Sequence, residues 1–348
     1  MQNIKIHLLN TDDHILDSLK KSDDYLGLNK KVAEDINRKL WISRSLLDII
    51  PVTTENIMSG NLFPLMEAEV EFESSIQFCR LGFYKHANIA LRNFLELGLL
   101  SVYYDIEDKS HIVIQNWLGS NEDTPYKKAV FKKLKENKNI SIFDEKCKIF
   151  DKADNCYRLL SSFTHTKGYG FSSRRLSNSN VNYFNEESFN MWLESMTVVL
   201  SIVVAFHILK YPVALQNTPI DEKFGLNPPA GRFLNPNQVD NIRKIFKKEW
   251  IDVLQEISDN DPDAVGMAEW VNNQPDITEA EILKQIEEEQ KYMLEMQGYE
   301  EWERRQNIWL NGLKDRKSSE YNAELEIINK VKEWARKNNM INKKKTIS

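Results

Sequence analysis

A chain of 348 residues with net charge −6 is too acidic to coat nucleic acid wholesale, which leaves room only for a local basic patch. Its length allows roughly two domains. Only 12 Gly and 10 Pro interrupt it, and so few breakers favour long uninterrupted elements; an all-α fold is predicted.

In chain order, the first residues, "MQNIKIHLLNTDDH", lack the basic-then-apolar pattern of a secretory leader. Residues 1–63 read as an irregular lead-in with one or two helices, one of them over "KVAEDINRKLWISRSLLDII" and stopped by Pro51, followed by a loop, "TTENIMSGNLFP". From Pro64 the helical pattern strengthens. A helix opening on Pro64 and closing on Gly82 is followed by one with apolar residues at Ala87, Ala90, Leu91, Phe94, Leu95 and Leu99. The short link makes the two antiparallel neighbours. A third helix covers "TPYKKAVFKKLKENKN", and a fourth lies within "SIFDEKCKIFDKADNCYRLLSSFTH" and ends near Gly168. A polar loop follows, and a fifth, very apolar helix is stopped by Pro212. Its most apolar run, "TVVLSIVVAFHIL", is thirteen residues against the ~20 that span a bilayer, so a buried core helix is expected and no membrane partner.

Pro, Gly and Asn concentrate in 213–237, read as a linker. The remainder, 238–348, reads as a separate, smaller helical domain. Asp261-Pro262 suits one helix start, Thr278-x-x-Glu281 is a capping box for another, and the tail "NKKKTIS" is expected to fray. Aromatic anchors there (Trp250, Trp270, Trp302, Trp309, Trp334) and a stripe of Tyr321, Leu325, Ile328 and Lys332 suit a helical core or a docking face for a protein partner. Cys79, Cys147 and Cys156 have neither disulfide nor zinc spacing, which points to the reducing cytoplasm. Asp259, Asp261 and Asp263 resemble the start of a calcium loop, but Ala264 and Trp270 occupy its Gly and Glu positions. No cofactor or metal is expected.

The chemistry is concentrated in "YRLLSSFTHTKGYG", 157–170. Arg158 and His165 are seven apart, so on a helix they share one face, two turns apart, and long side chains there can converge on one anion. A guanidinium holds a phosphate oxygen with two hydrogen bonds, and an imidazole titrating near neutrality moves a proton. Together they form the smallest kit for metal-independent RNA cleavage by the ribose 2′-hydroxyl. The same residues also fit a plain structural role: a His at a helix C-terminus is favoured by the dipole, and Arg158 can pair with Asp154 one turn earlier.

With "GFYKHANIALRNFLELGLL" on an earlier helix, "YRLLSSFTHTKG" makes 64–212 resemble the HEPN-like superfamily of helical bundles. Arg158-x6-His165 matches that superfamily's loose Arg-x(4–6)-His pattern. The resemblance implies a bundle of about five helices and a homodimer with facing motifs. It also implies a metal-independent endoribonuclease or RNA-binding effector of a toxin or antiviral-defence system, with Arg158 and His165 catalytic. The residue after the motif arginine, often polar in the nucleases, is Leu159 here, and the superfamily also has non-catalytic members that act as interaction modules.

Nine Lys against four acids give 126–152 a charge of +5, so the rest of the chain sums to −11. Lys127, Lys128, Lys132 and Lys133, with Lys167, Arg174 and Arg175 beyond the motif, form an expected RNA-binding collar; a solvated helix face is the alternative. Arg92 and Glu96, at i and i+4 in an apolar helix, are expected to pair, with Arg92 leaning into the His165 cleft as the functional alternative.

Overall fold

A computed structural model describes residues 12–50, 60, 62–107, 111–177, 182–228, 233–313 and 318–341. The loop expected before Pro64 and the tail after Ile341 lie largely outside them. Among the described residues there is no strand, and the chain is all-α with seventeen helices. In order they are α1 (Asp12–Leu28), α2 (Lys30–Ile49), α3 (Phe63–Arg80), α4 (Tyr84–Glu107), α5 (Ile112–Leu118), α6 (Lys127–Leu134), α7 (Lys138–Cys147), α8 (Ile149–Thr164) and α9 (Ser173–Leu176). Then come α10 (Glu186–Lys210), α11 (Ile220–Phe224), α12 (Pro236–Arg243), α13 (Lys248–Asn260), α14 (Pro262–Asn272), α15 (Glu279–Gln297), α16 (Tyr299–Leu313) and α17 (Ser318–Lys337).

The helices form two compact units: Met1–Thr218 with Ala230–Trp270, and Pro219–Pro229 with Val271–Ser348. This division differs from the boundaries expected at 63, 212 and 237. The lead-in helices belong to the first core, because Ile36, Ile42, Leu46 and Ile49 are buried there and Ser18 and Ser22 donate to the carbonyls of Asn182 and Arg80. So do α12 and α13, whose Ile242, Trp250 and Leu254 join the same core; Trp250 meets Phe143 of α7 edge-on at 5.1 Å. Part of the expected linker is packed as well. Val213 and Ala214 are buried, and Ser258 Oγ donates to the Pro212 carbonyl at 2.6 Å.

Within the first unit, α3 and α4 form the expected antiparallel pair. Pro64 sits in the first turn of α3, whose end is closed by two bonds, Gly82 N–H to the Cys79 carbonyl and Phe83 N–H to the Phe78 carbonyl. That double closure needs a left-handed residue, and Gly82 supplies φ 78°. The expected fourth helix is broken in two at Lys148, which adopts φ 54° between α7 and α8. The expected count of about five helices over 64–212 is therefore exceeded.

α10 is 25 residues long, more than its thirteen-residue apolar run, because polar residues at both ends continue the helix. By length and composition it is long and apolar enough to cross a bilayer, yet 72% of its most apolar window is buried inside the protein. It crosses α4 where Gly98 lies; a Cβ at Gly98 would sit 2.6 Å from Val203 Cγ1. His207, also on α10, is buried. Its Nδ1 donates to the Val203 carbonyl at 2.8 Å, while Nε2 has no hydrogen-bond partner among the described residues. Burial pushes this imidazole down to about 4, against smaller opposing effects of the Val203 carbonyl and Asp105.

The second unit has its own small core. Trp302 is fully buried and donates to Gln290 Oε1 at 2.9 Å, among Leu294, Leu310, Ile327, Ile328 and Val331. Tyr321 and Leu325 pack against that core, so the stripe on α17 faces inward, while Ile308 and Trp309 remain exposed. The capping box Thr278/Glu281 opens α15, and Asp261 caps α14 through the Ala264 N–H.

Two measurements test the α10 packing. Gly98→Ala gains about 1 kcal/mol of helix propensity and loses more to overpacking against Val203, so a net destabilisation of about 1–2 kcal/mol is expected in urea unfolding. As pH falls from 6.5 towards 4, the unfolded chain takes up a proton at His207 that the folded chain refuses, so this residue's contribution erodes by roughly 3 kcal/mol in that window. His207→Leu is expected to remove that part of the acid sensitivity; identical slopes for both proteins would contradict it.

Candidate functional site

Helix α8 is strongly two-faced. Phe150, Ala153, Cys156, Leu160 and Phe163 are buried, while Asp151, Asn155, Arg158 and His165 are exposed with Ser162 half-buried between them. Steps of three and four residues place that second set on one stripe. The helix ends at Thr164, earlier than the Gly168 expected from the sequence, and His165 is its C-cap at φ −88°, ψ 3°. The ending repeats the double closure of α3: Thr166 N–H bonds the Phe163 carbonyl and Lys167 N–H the Ser162 carbonyl. Here the left-handed position is held by Thr166 at φ 47°, a β-branched residue where glycine is the unstrained choice. Lys85 Nζ, from the start of α4, donates to Thr166 Oγ1 at 2.6 Å.

Both motif side chains are exposed, Arg158 by 68%, which an incoming anion requires. Their expected convergence is not seen within one chain. Arg158 Nε bonds Asp154 Oδ2 at 3.0 Å, and its Nη2 donates to Asn155. The guanidinium thus points back along α8, away from His165, whose Cα lies roughly 10 Å further along the helix by its rise. The reason is local: a carboxylate one turn earlier is the nearest counter-charge. Lys127 Nζ of α6 bonds the other oxygen of Asp154 at 2.5 Å. The Lys127 ammonium, with Arg158 adding to it, holds the Asp154 carboxyl below the usual carboxylate range.

A second polar group joins α8 to α4. Arg92 makes the expected ion pair with Glu96 at 2.9 Å and also reaches α8, donating to Tyr157 Oη at 2.7 Å and Ser161 Oγ at 3.2 Å. Tyr157 Oη donates to Glu96 Oε1 at 2.8 Å. The Tyr157 ring has cations over it from two helices, Lys127 Nζ at 4.7 Å and the Arg92 guanidinium carbon at 4.9 Å from its centroid. Residues Arg92, Tyr157, Lys127, Asp154 and Arg158 therefore form a continuous polar row along α4, α6 and α8, with Lys85 set apart at Thr166. Sequence reading missed Tyr157 and Lys85; the only available signal was an aromatic and a Lys at helical spacing from named residues.

The basic collar does not gather at one point of α8. Lys127 bonds Asp154 in its second turn, whereas Lys167 and Arg174 follow its C-terminus, roughly 15 Å of helix further on by rise. Lys128, Lys132, Lys167 and Arg174 are exposed, without ion-pair partners among the described residues. Lys133 pairs with Glu136 at 2.8 Å and Arg175 with Glu187 at 3.2 Å. Other lysines of the run have structural work: Lys146 pairs with Glu256, and Lys135 and Lys152 lie over Phe150 and Trp250. His86 is exposed beside Phe78 and Phe83, and partial burial, with Lys85 next to it, lowers its pKa.

Among known proteins, no family model, no curated protein and no solved structure matches the chain. The geometry of α8 itself supplies a direct test. Thr166→Gly relieves a left-handed β-branched residue at the small loss of an exposed hydrogen bond, so a stability gain of about 1 kcal/mol and a higher Tm are expected. A loss of stability would mean that the Lys85–Thr166 contact outweighs the strain.

Proposed function

We propose that this chain is a cytoplasmic RNA-binding effector of a bacterial toxin or antiviral-defence type. It acts as a homodimer and cleaves RNA without a metal. The observation that carries the reading is the exposed stripe of α8, which presents Arg158 and His165 to solvent beside three further cations, Lys85, Arg92 and Lys127.

In this reading His165 takes the proton of a ribose 2′-hydroxyl as that oxygen attacks the neighbouring phosphorus. Arg158 leaves Asp154 and holds the non-bridging oxygens, on which negative charge accumulates. The P–O5′ bond breaks and the leaving oxygen takes a proton from His165 of a second copy. The products are a 2′,3′-cyclic phosphate and a 5′-hydroxyl. Two copies are required because one chain offers a single imidazole on this stripe, and its own Arg158 is turned away from it.

One observation favours a second reading, a non-catalytic interaction module. Arg158, Lys127 and Asp154 satisfy one another, as a purely structural ladder does. Exposed pairs of this kind contribute at most about 1 kcal/mol each, so the ladder has little stabilising value to explain its presence.

Incubation with labelled RNA in excess EDTA separates the two. Cleavage is expected to persist, to leave 2′,3′-cyclic ends, and to fall by about 100-fold or more in His165→Ala. Asp154→Asn is expected to tighten RNA binding several-fold by freeing two cations, and affinity should drop steeply with salt. RNA that stays equally intact with wild type and H165A removes the nuclease reading.

A further inference from the structure

A cleft of about 270 Å³ opens beside the polar row, between α3, α4, α5, α6 and α8. It is slightly smaller than the roughly 300–1,000 Å³ typical of sites for drug-sized ligands, which suits an occupant the size of one nucleoside. Leu100, Val130, Phe131 and Trp117 form apolar and aromatic walls. The mouth is polar. Lys127 and Tyr157, which border the cleft, are the same residues that reach Asp154 and Arg92. The cleft therefore lies on the flank of α8 next to the exposed stripe and is linked to Arg158 through Lys127 and Asp154.

Two half-buried polar side chains on that lining have no hydrogen-bond or ion-pair partner among the described residues: the Asn93 amide and the Glu71 carboxylate. Their neighbours in the lining are spoken for: Glu96 accepts from Arg92 and Tyr157, and Trp117 donates to Thr124. An amide that can donate and accept at once and a carboxylate that can only accept, on one lining, are together complementary to a flat heterocycle bearing an exocyclic amine. Asn pairs in bidentate fashion with adenine, and Glu accepts from amino groups; uracil presents acceptor oxygens in their place. The aromatic wall supplies a stacking surface, as in proteins that read unstacked RNA bases.

We infer that this cleft is a base pocket beside the scissile phosphate, taking an amino-bearing nucleobase, adenine first, and rejecting uracil. The inference rests on the RNA reading of Arg158 and His165. The backbone of the bound strand runs along α8, its phosphate facing Arg158, while the base turns inward between Trp117 and Phe131 with its amine towards Glu71 and Asn93.

The test uses the full-length His165→Ala protein, which leaves RNA intact, and fluorescence anisotropy with a labelled uridine decamer carrying a single central A, C, G or U. The A-containing decamer is expected to bind about tenfold more tightly than the all-uridine one, with C and G between them. Asn93→Ala and Glu71→Gln, checked for unchanged circular dichroism, are expected to abolish that preference and leave binding of the all-uridine decamer unaltered. Four decamers bound within twofold of one another, or a preference that survives both substitutions, overturn the pocket. Cleavage by the wild type without base preference sinks the pocket alone. A base preference without cleavage sinks the nuclease reading alone, and no binding of any decamer sinks both.

Discussion

The enclosure of α10 is the constraint on which the first unit depends. Fifteen of its residues are buried, from Ser188 to Leu209, so apolar side chains leave the helix in nearly every direction. A helix of that kind satisfies its own backbone but must be wrapped by others. Helices α2, α4, α7, α8 and α13 provide the wrapping, and α4 comes closest because Gly98 carries no side chain towards Val203. Once α8 turns Phe150, Leu160 and Phe163 inward, its opposite face has no choice but to meet solvent. The stripe with Arg158 and His165 is thus a consequence of core packing before it is anything else.

What that stripe can do is governed by Asp154. One carboxylate holds a guanidinium from its own helix and an ammonium from α6, and both pairs lie where water screens them. Such pairs exchange readily for a better anion. In the proposed function a phosphate, with more acceptor oxygens, competes for the same two cations, and a swing of the Arg158 and Lys127 side chains is enough to free them. The same economy holds at the other end of α8, where the strained Thr166 fixes the direction in which the chain leaves His165.

Much of the fold was legible in the pattern of residues. The helix opening on Pro64, the stop at Gly82, the Thr278/Glu281 box and the Asp261 cap all follow from local chemistry, since each depends on residues within a few positions. The break at Lys148 was not legible, because a lysine carries no propensity for a left-handed backbone and only the packing of Ile149 and Phe150 against other helices requires the turn there. The assignment of 238–270 to the first unit was equally hidden: its amphipathic helices announce a buried face without saying which surface covers it.

By itself, the sequence determined that this chain is helical, where most of its helices begin and end, and that Arg158 and His165 share one face. Those properties are set by backbone propensity and by a fixed angular step per residue. Only the tertiary structure decided which cations gather around that face, that Arg158 turns towards Asp154, and that Asn93 and Glu71 border a cleft with free hydrogen-bonding capacity. Those properties depend on residues brought together from helices far apart in the chain, and the helical period, which orders neighbours along one helix, carries no information about how two helices meet.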